Sequence, residues 1–270
     1  MSSQRNNLGE FNTHGSKNTR IDFAKQQNNM DYRKDEIMHI GRYWNGAKTI
    51  IELSSRLVRP IRVLDIGCGE MNTAKMLYSA VVVKKSEIIE KYIGVDIDYI
   101  MAEKARESFT GYKTMNAEFL IQDMTVDSHL PFEDEHFDLI ICFEFMEHIQ
   151  PEFLPSVLRE AKRLLNENGV ALFSTPNSNG SNVKLPKDHI YEYSYEECMN
   201  LFEQAGFKVT DAKGVCINIT KIPAEETKRL QPILNRFYSA FGKNTPFASV
   251  ASAPLFNPRY CKNVVYHLSR

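Results

Sequence analysis

The sequence predicts an α/β protein: a parallel sheet covered by helices on both faces. Three observations lead there. Short apolar runs alternate with amphipathic stretches, the pattern of strand–helix–strand units. The runs are continuously apolar, as in FDLIICF at 137–143, which suits strands buried on both sides. The first run ends in a Gly-x-Gly turn at Gly67 and Gly69, where chain without side chains lets a ligand approach the backbone at a strand end.

Residues 1–34 form a polar arm rich in Asn, Gln, Ser and Gly, with no sustained period. From Asp35 to Leu57, apolar residues fall at Ile37, Ile40, Trp44, Ala47, Ile51 and Leu57, a helical spacing closed by Arg59-Pro60. Ile61–Ile66 is the first strand. A helical segment is expected from Thr73 to Tyr92, then a second strand at Ile93–Asp96 and a helix from Ile100 to Phe109. Phe119–Gln122 and Phe137–Phe143 are the third and fourth strands. A helix over 153–165 carries Phe153, Val157, Ala161 and Leu164 on one face, and Asn168-Gly169 leads into a fifth strand at Val170–Ser174. Ser194 with Glu197 three positions on makes a capping box for a helix that ends before Gly206. Phe207–Val215 and Asn263–Leu268 are the last two strands. The stretch between them, with Pro223, Pro232, Pro246, Pro254 and Pro258, is too long for a structureless loop and predicts a helix over Glu225–Phe241.

Composition narrows the function classes. The 270 residues carry 33 Lys and Arg against 34 Asp and Glu, a net charge of -1, so a global basic footprint for nucleic acid is absent. Five cysteines without a CxxC pair argue against a zinc ribbon or disulfide framework and for free, buried thiols in a reducing compartment. No apolar run approaches the roughly 20 residues of a membrane span, and the first 30 residues lack a hydrophobic signal core. A cytoplasmic protein is expected.

The candidate binding residues sit at strand ends. Asp65 precedes the glycine turn, where a carboxylate repels a pyrophosphate and suits a cationic or amine-bearing ligand. Gly67-Cys68-Gly69-Glu70-Met71 lacks the third glycine of the dinucleotide fingerprint, and Asp96 lies 29 residues beyond Gly67 where a nicotinamide site expects about 20. Asp96 can accept from both hydroxyls of a ribose. Gln122, Asp123 and Met124 end the third strand with groups for an exocyclic amine and a ring face.

In VLDIGCGE (63–70), YIGVDID (92–98), IQDM (121–124), LPFEDEHFDLIICFEFMEHI (130–149) and LLNENGVALFSTPN (164–177), the chain resembles the class I S-adenosylmethionine-dependent methyltransferases. The resemblance covers 61–215 and extends to the final strand. It implies a Rossmann-like seven-stranded sheet of order 3-2-1-4-5-7-6 with strand 7 antiparallel. The core is then 35–218 with 260–270, and 219–259 is an insertion over the acceptor site. It implies S-adenosyl-L-methionine as cofactor, with Asp65, Gly67, Cys68 and Gly69 at the methionine moiety. Asp96 and Ile97 would hold the ribose, Gln122, Asp123 and Met124 the adenine, and Phe143 and Glu144 would flank the amino end.

The catalytic candidates are Glu147, His148 and His189. His148 can serve as a general base beside Glu147 or Asp188. Alternatively Glu144, Glu147, His148 and His189 form a divalent-metal site, a spacing similar to small-RNA 3′-end 2′-O-methyltransferases and ubiquinone-biosynthesis O-methyltransferases, which use a metal there. Glu147 and His148 can also simply brace the following helix. A divalent metal is therefore open, and no metal ligand is assigned. Arg42 could reach the cofactor's carboxylate, and Tyr191, Tyr193 and Tyr195 are either packing residues or an aromatic wall. The expected acceptor is an oxygen or nitrogen of a small molecule. The alternatives are a nucleic-acid or protein methyltransferase, using basic residues of the arm (Arg5, Lys17, Arg20, Lys25) and insertion (Lys221, Lys228, Arg229, Arg236), or a cofactor-binding module without turnover. No membrane partner is expected.

Overall fold

The computed structural model describes residues 32–80, 88–108, 115–178, 185–218, 220, 222–242 and 246–270; the arm through 31 and Lys221 lie outside the described residues. The strands are β1 (Ile61–Ile66), β2 (Ile89–Asp96), β3 (Ala117–Ile121), β4 (Phe137–Phe143), β5 (Leu165–Pro176), β6 (Lys208–Ile217) and β7 (Cys261–Ser269). They form one sheet of order β3-β2-β1-β4-β5-β7-β6. All neighbours are parallel except β7, which runs antiparallel to β5 and β6.

The helices are α1 (Tyr32–Leu57), α2 (Asn72–Ala80), α3 (Tyr99–Ser108), α4 (Leu154–Leu164), α5 (Tyr195–Gln204), α6 (Ala224–Phe241) and α7 (Pro246–Ser252). Two cores result because strand side chains alternate between faces. Ile61 and Val63 pack with Ala47, Ile50 and Leu53 of α1 and Ala74 and Leu77 of α2. Leu64 and Ile66 face the other way, toward α4 and Phe202 of α5. Leu230 and Leu234 of α6 join that second core with Tyr193 and Met146. α6 is thus anchored on the same side of the sheet as α4 and α5. Among the described residues, no helix is long and apolar enough to cross a membrane.

Two elements differ from expectation. Of the helix expected over 73–92, the structure describes Asn72–Ala80; 81–87 lie outside the described residues, and from Ile89 the chain is already β2. Ile89 and Tyr92 are buried and pair in register with Ile61 and Val63, so sheet pairing outweighs helical spacing there. β5 starts at Leu165 rather than Val170, taking Asn168-Gly169 inside the strand. At Gly169 a Cβ would come within 2.9 Å of the Asp138 carbonyl oxygen, so only glycine allows β4 and β5 this close approach.

Asn177, just past β5, ties three elements together. Its amide donates to the carbonyls of Arg259 and Cys261 at 2.9 and 3.0 Å, and its oxygen accepts from the Tyr195 amide at 3.0 Å. The side chain is buried, so its loss leaves backbone groups without partners. Asn177→Ala is expected to lower unfolding free energy by about 2–4 kcal/mol in urea titrations. A loss below about 0.5 kcal/mol, the range of ordinary surface changes, would contradict this role.

Candidate active site

The glycine turn hangs from the end of β2. The Gly67 and Cys68 amides both donate to the Val95 carbonyl, at 2.8 and 3.1 Å. Gly67 has φ +66°, and a Cβ on it would lie 2.7 Å from the Phe145 ring. Gly69 has φ +49°, and a Cβ there would meet nothing within 4 Å: the space above it is open. The two glycines therefore serve different ends, one admitting Phe145 and the other leaving room for a ligand. Met71 stands where the related fingerprint has a third glycine, and it adopts the left-handed conformation at φ +58°. That backbone costs about 1–2 kcal/mol for an L residue. Burying the whole thioether side chain beneath the turn offsets it by about 1.5–3 kcal/mol, so the turn keeps its shape without glycine.

Two carboxylates flank the turn. Asp65 is buried and accepts a 2.6 Å bond from the Tyr92 hydroxyl. Burial, with a contribution from Asp96, pushes its pKa up to about 7. Asp96 accepts from the Gly69 amide at 2.9 Å and the Asp98 amide at 3.0 Å, and burial raises its pKa too. Beside it, Ile97 is half-buried. Asp123 accepts from the amide and hydroxyl of Thr125. Gln122 spends its amide donors on the carbonyls of Asp127 and His129, which leaves its oxygen for a ligand's amine. Met124, Cys68 and Phe143 are buried below the rim. The Cys68 thiol sits close over Gly94 and burial pushes its pKa up, which suits a packing thiol. All five cysteines are free and buried.

After β4 the chain turns at Glu144, which has φ +49°. Its carboxylate accepts from Ser174 Oγ at 2.9 Å and Asn263 Nδ2 at 2.8 Å, and pairs with Arg42 at 3.0 Å. Glu144 thus locks α1, β5 and β7 onto the end of β4. Arg42 is buried in this pair and its Nε has no partner. Neighbouring His39 is held neutral, its pKa lowered to about 4 by burial and then by Arg42.

The next turn of chain gathers the catalytic candidates. Glu147 is fully buried; Thr175 donates to its Oε2 at 3.0 Å, and Oε1 has no partner among the described residues. Burial, and then Glu144, raises its pKa well above the usual carboxylate range. His148 Nδ1 lies 2.9 Å from the Asp188 carbonyl, and burial lowers its pKa. His189 Nδ1 lies 2.7 Å from Glu192 Oε1. The two imidazoles stand edge to face, 5.1 Å apart. One donor atom each from Glu147, His148 and His189 lies within 4.8 Å of the others. The amides of Ile190 and Tyr191 donate to the Glu147 carbonyl and so bring His189 across to β4.

The three tyrosines do not form one wall. Tyr191 and Tyr193 pack edge to face, and the buried Tyr193 hydroxyl has no partner. Tyr195 lies beneath Arg259 on the other side of α5's start. The sequence reading missed Thr175, Asn263 and Glu192. Only Glu192 carried a local signal, its three-residue spacing from His189.

Comparison with known proteins gives the family of the chain. A methyltransferase-domain family profile matches residues 39–212. A Mycolicibacterium smegmatis protein named a probable S-adenosylmethionine-dependent methyltransferase is 29% identical over 159 residues, 57% of this chain and 54% of that one. The ubiquinone biosynthesis O-methyltransferase of Pasteurella multocida is 31% identical over 122 residues, 43% and 46% of the two chains. The chain spans about half the length of the curated relatives it matches. A Burkholderia thailandensis 1,6-didemethyltoxoflavin-N1-methyltransferase, solved with 1,6-didemethyltoxoflavin and S-adenosylhomocysteine, shares the fold at TM-score 0.56 and 14% identity, over 93% of this chain and 86% of that one. The chain belongs to the methyltransferase-domain family, within the class I proteins that use S-adenosylmethionine.

Asp65 gives this rim a pH signature. Its folded pKa is raised to about 7, so its contribution stabilises the ligand-free fold at acidic pH and is lost as pH rises through about 7. A cationic ligand favours the ionised form and displaces the proton. Calorimetric titration with S-adenosylmethionine is expected to show tighter binding from pH 6 to 8, with proton release that depends on buffer. Asp65→Asn should flatten the profile. A flat profile in the unmodified protein would count against Asp65 as part of the site.

Proposed function

We propose that this chain transfers a methyl group from S-adenosylmethionine to an oxygen of a small-molecule acceptor. The observation that carries the reading is the cluster of Glu147, His148 and His189 beside the glycine turn's end of the sheet. A hydroxyl is the acceptor that gains most from losing its proton before attack, and such a cluster can take or stabilise that charge.

The open space over Gly69, the buried Asp65 and the half-buried Asp96 fit the cofactor. Asp65, Gly67 and Gly69 would hold the amino-acid tail, Asp96 and Ile97 the ribose, and Gln122, Asp123 and Met124 the adenine. When bound, the cofactor supplies a methyl carbon activated by a positively charged sulfur. The protein's part is to align an acceptor opposite that sulfur and to exclude water. Phe145 over Gly67 and the buried Tyr193 near Glu147 supply apolar bulk around that line. α6 packs into the same core as Tyr193 and Met146, which supports the insertion as a wall of the acceptor pocket.

Glu147, His148 and His189 also fit a divalent cation. The buried, unpartnered Oε1 of Glu147 is the observation that favours this over a purely structural brace. One carboxylate and two imidazoles form a common donor set for such ions, which would supply Lewis acidity toward an acceptor oxygen. Glu144, held by Arg42, Ser174 and Asn263, stands outside the trio as a positioning residue.

Transfer of labelled methyl groups to a panel of hydroxylated small molecules tests the reading. Glu147→Gln and His148→Asn should each lower kcat by about 10²–10⁴-fold and leave cofactor affinity within about threefold. Transfer only to oligonucleotides, with binding that weakens steeply with salt, would overturn the small-molecule reading in favour of a nucleic-acid acceptor.

A further inference from the structure

We propose that Glu192 is a positioning residue that fixes the tautomer of His189, so that the ring offers Nε2 to Glu147 and His148. The inference rests on the divalent-cation reading above and adds a residue that none of the motifs contains. Glu192 Oε1 lies 2.7 Å from His189 Nδ1. A carboxylate accepts and does not donate, so Nδ1 carries the hydrogen and the lone pair of the neutral ring is left on Nε2. His148 is arranged alike: its Nδ1 meets the Asp188 carbonyl at 2.9 Å, and a carbonyl can only accept. With its Nδ1 hydrogen committed to Glu192, Nε2 is the atom that the His189 ring turns to a cation.

The frame around this pair is rigid. The Ile190 amide donates to the Glu147 carbonyl at 2.7 Å, so the segment carrying His189 and Glu192 is tied to the backbone of the third donor. Glu192 and His189 are both mostly buried, with side chains 17% and 15% exposed, so water competes weakly for the contact. A ligating imidazole whose other nitrogen donates to a carboxylate is both oriented and made more basic. Glu192 touches neither cofactor nor acceptor in this arrangement and acts through His189 alone.

Two measurements on the full chain test it. Long-range proton–nitrogen NMR of the metal-free protein should show His189 protonated on Nδ1, and Glu192→Ala should redistribute that proton to Nε2. Titration with Co²⁺, followed by its visible absorption, should show affinity falling about 10–100-fold in Glu192→Ala. The isosteric Glu192→Gln, which keeps an acceptor and the same volume, should fall between the two and guards against a folding defect. An unchanged His189 tautomer or unchanged Co²⁺ affinity in Glu192→Ala would overturn the proposal and leave the cation reading standing. If the unmodified protein takes up no Co²⁺, the cation reading falls and this proposal with it. Methyl transfer, which the labelled-methyl assay reads separately, would be unaffected by that result.

Discussion

The organising constraint is negative charge held in a low-dielectric crevice at the ends of two adjacent parallel strands. β1 and β2 end at one level, with Ile66 opposite Val95, so Asp65 and Asp96 fall on either side of the glycine turn. Their hydrogen-bond partners are a tyrosine hydroxyl and backbone amides. Neutral donors leave a carboxylate's charge in place, and burial then penalises it. A cationic ligand relieves that penalty, and a phosphate would deepen it. This electrostatic asymmetry suits a sulfonium and an ammonium group better than a dinucleotide.

The other half of the rim solves a different problem. β4 is followed by a residue with positive φ, Glu144, in a backbone region that a side chain makes costly. The Glu144 carboxylate stabilises that turn by engaging α1, β5 and β7 at once. The cost of the turn is met by elements far apart in sequence, and its effect is to present Met146–His148 in a single 3₁₀ turn with Glu147 pointing inward. The segment from Asp188 to Tyr191 then docks on the Glu147 carbonyl and brings His189 across. Two loops on neighbouring strands meet because one carbonyl oxygen accepts from both Ile190 and Tyr191.

Much of this was legible in the sequence. Strand order and the antiparallel last strand are what the family resemblance implies, whereas β4 and the Ser194 capping box follow from residue pattern alone. Local pattern failed at 89–92, where pairing with β1 decides the conformation, and at Asn168-Gly169, where close approach of backbones keeps a turn-like pair inside a strand. The placement of Asp65, Gly67, Gly69 and Asp96 at one rim was legible because adjacent parallel strands of one sheet end at one level. The diversion of Glu144 was not, since Arg42 and Asn263 are 102 and 119 residues away from it and no periodicity links them. Glu192 was passed over for the opposite reason: its signal is local, but an acid three residues from a histidine is too common to single out.

A crystal structure with S-adenosylhomocysteine bound tests the central claim most directly. The account predicts ligand density across the strand ends, with the amino-acid tail over Gly69, the ribose hydroxyls on Asp96 and the sulfur turned toward the side where Glu147, His148 and His189 meet. Density at any other place on the molecule, or none over the strand ends at saturating ligand, would contradict it.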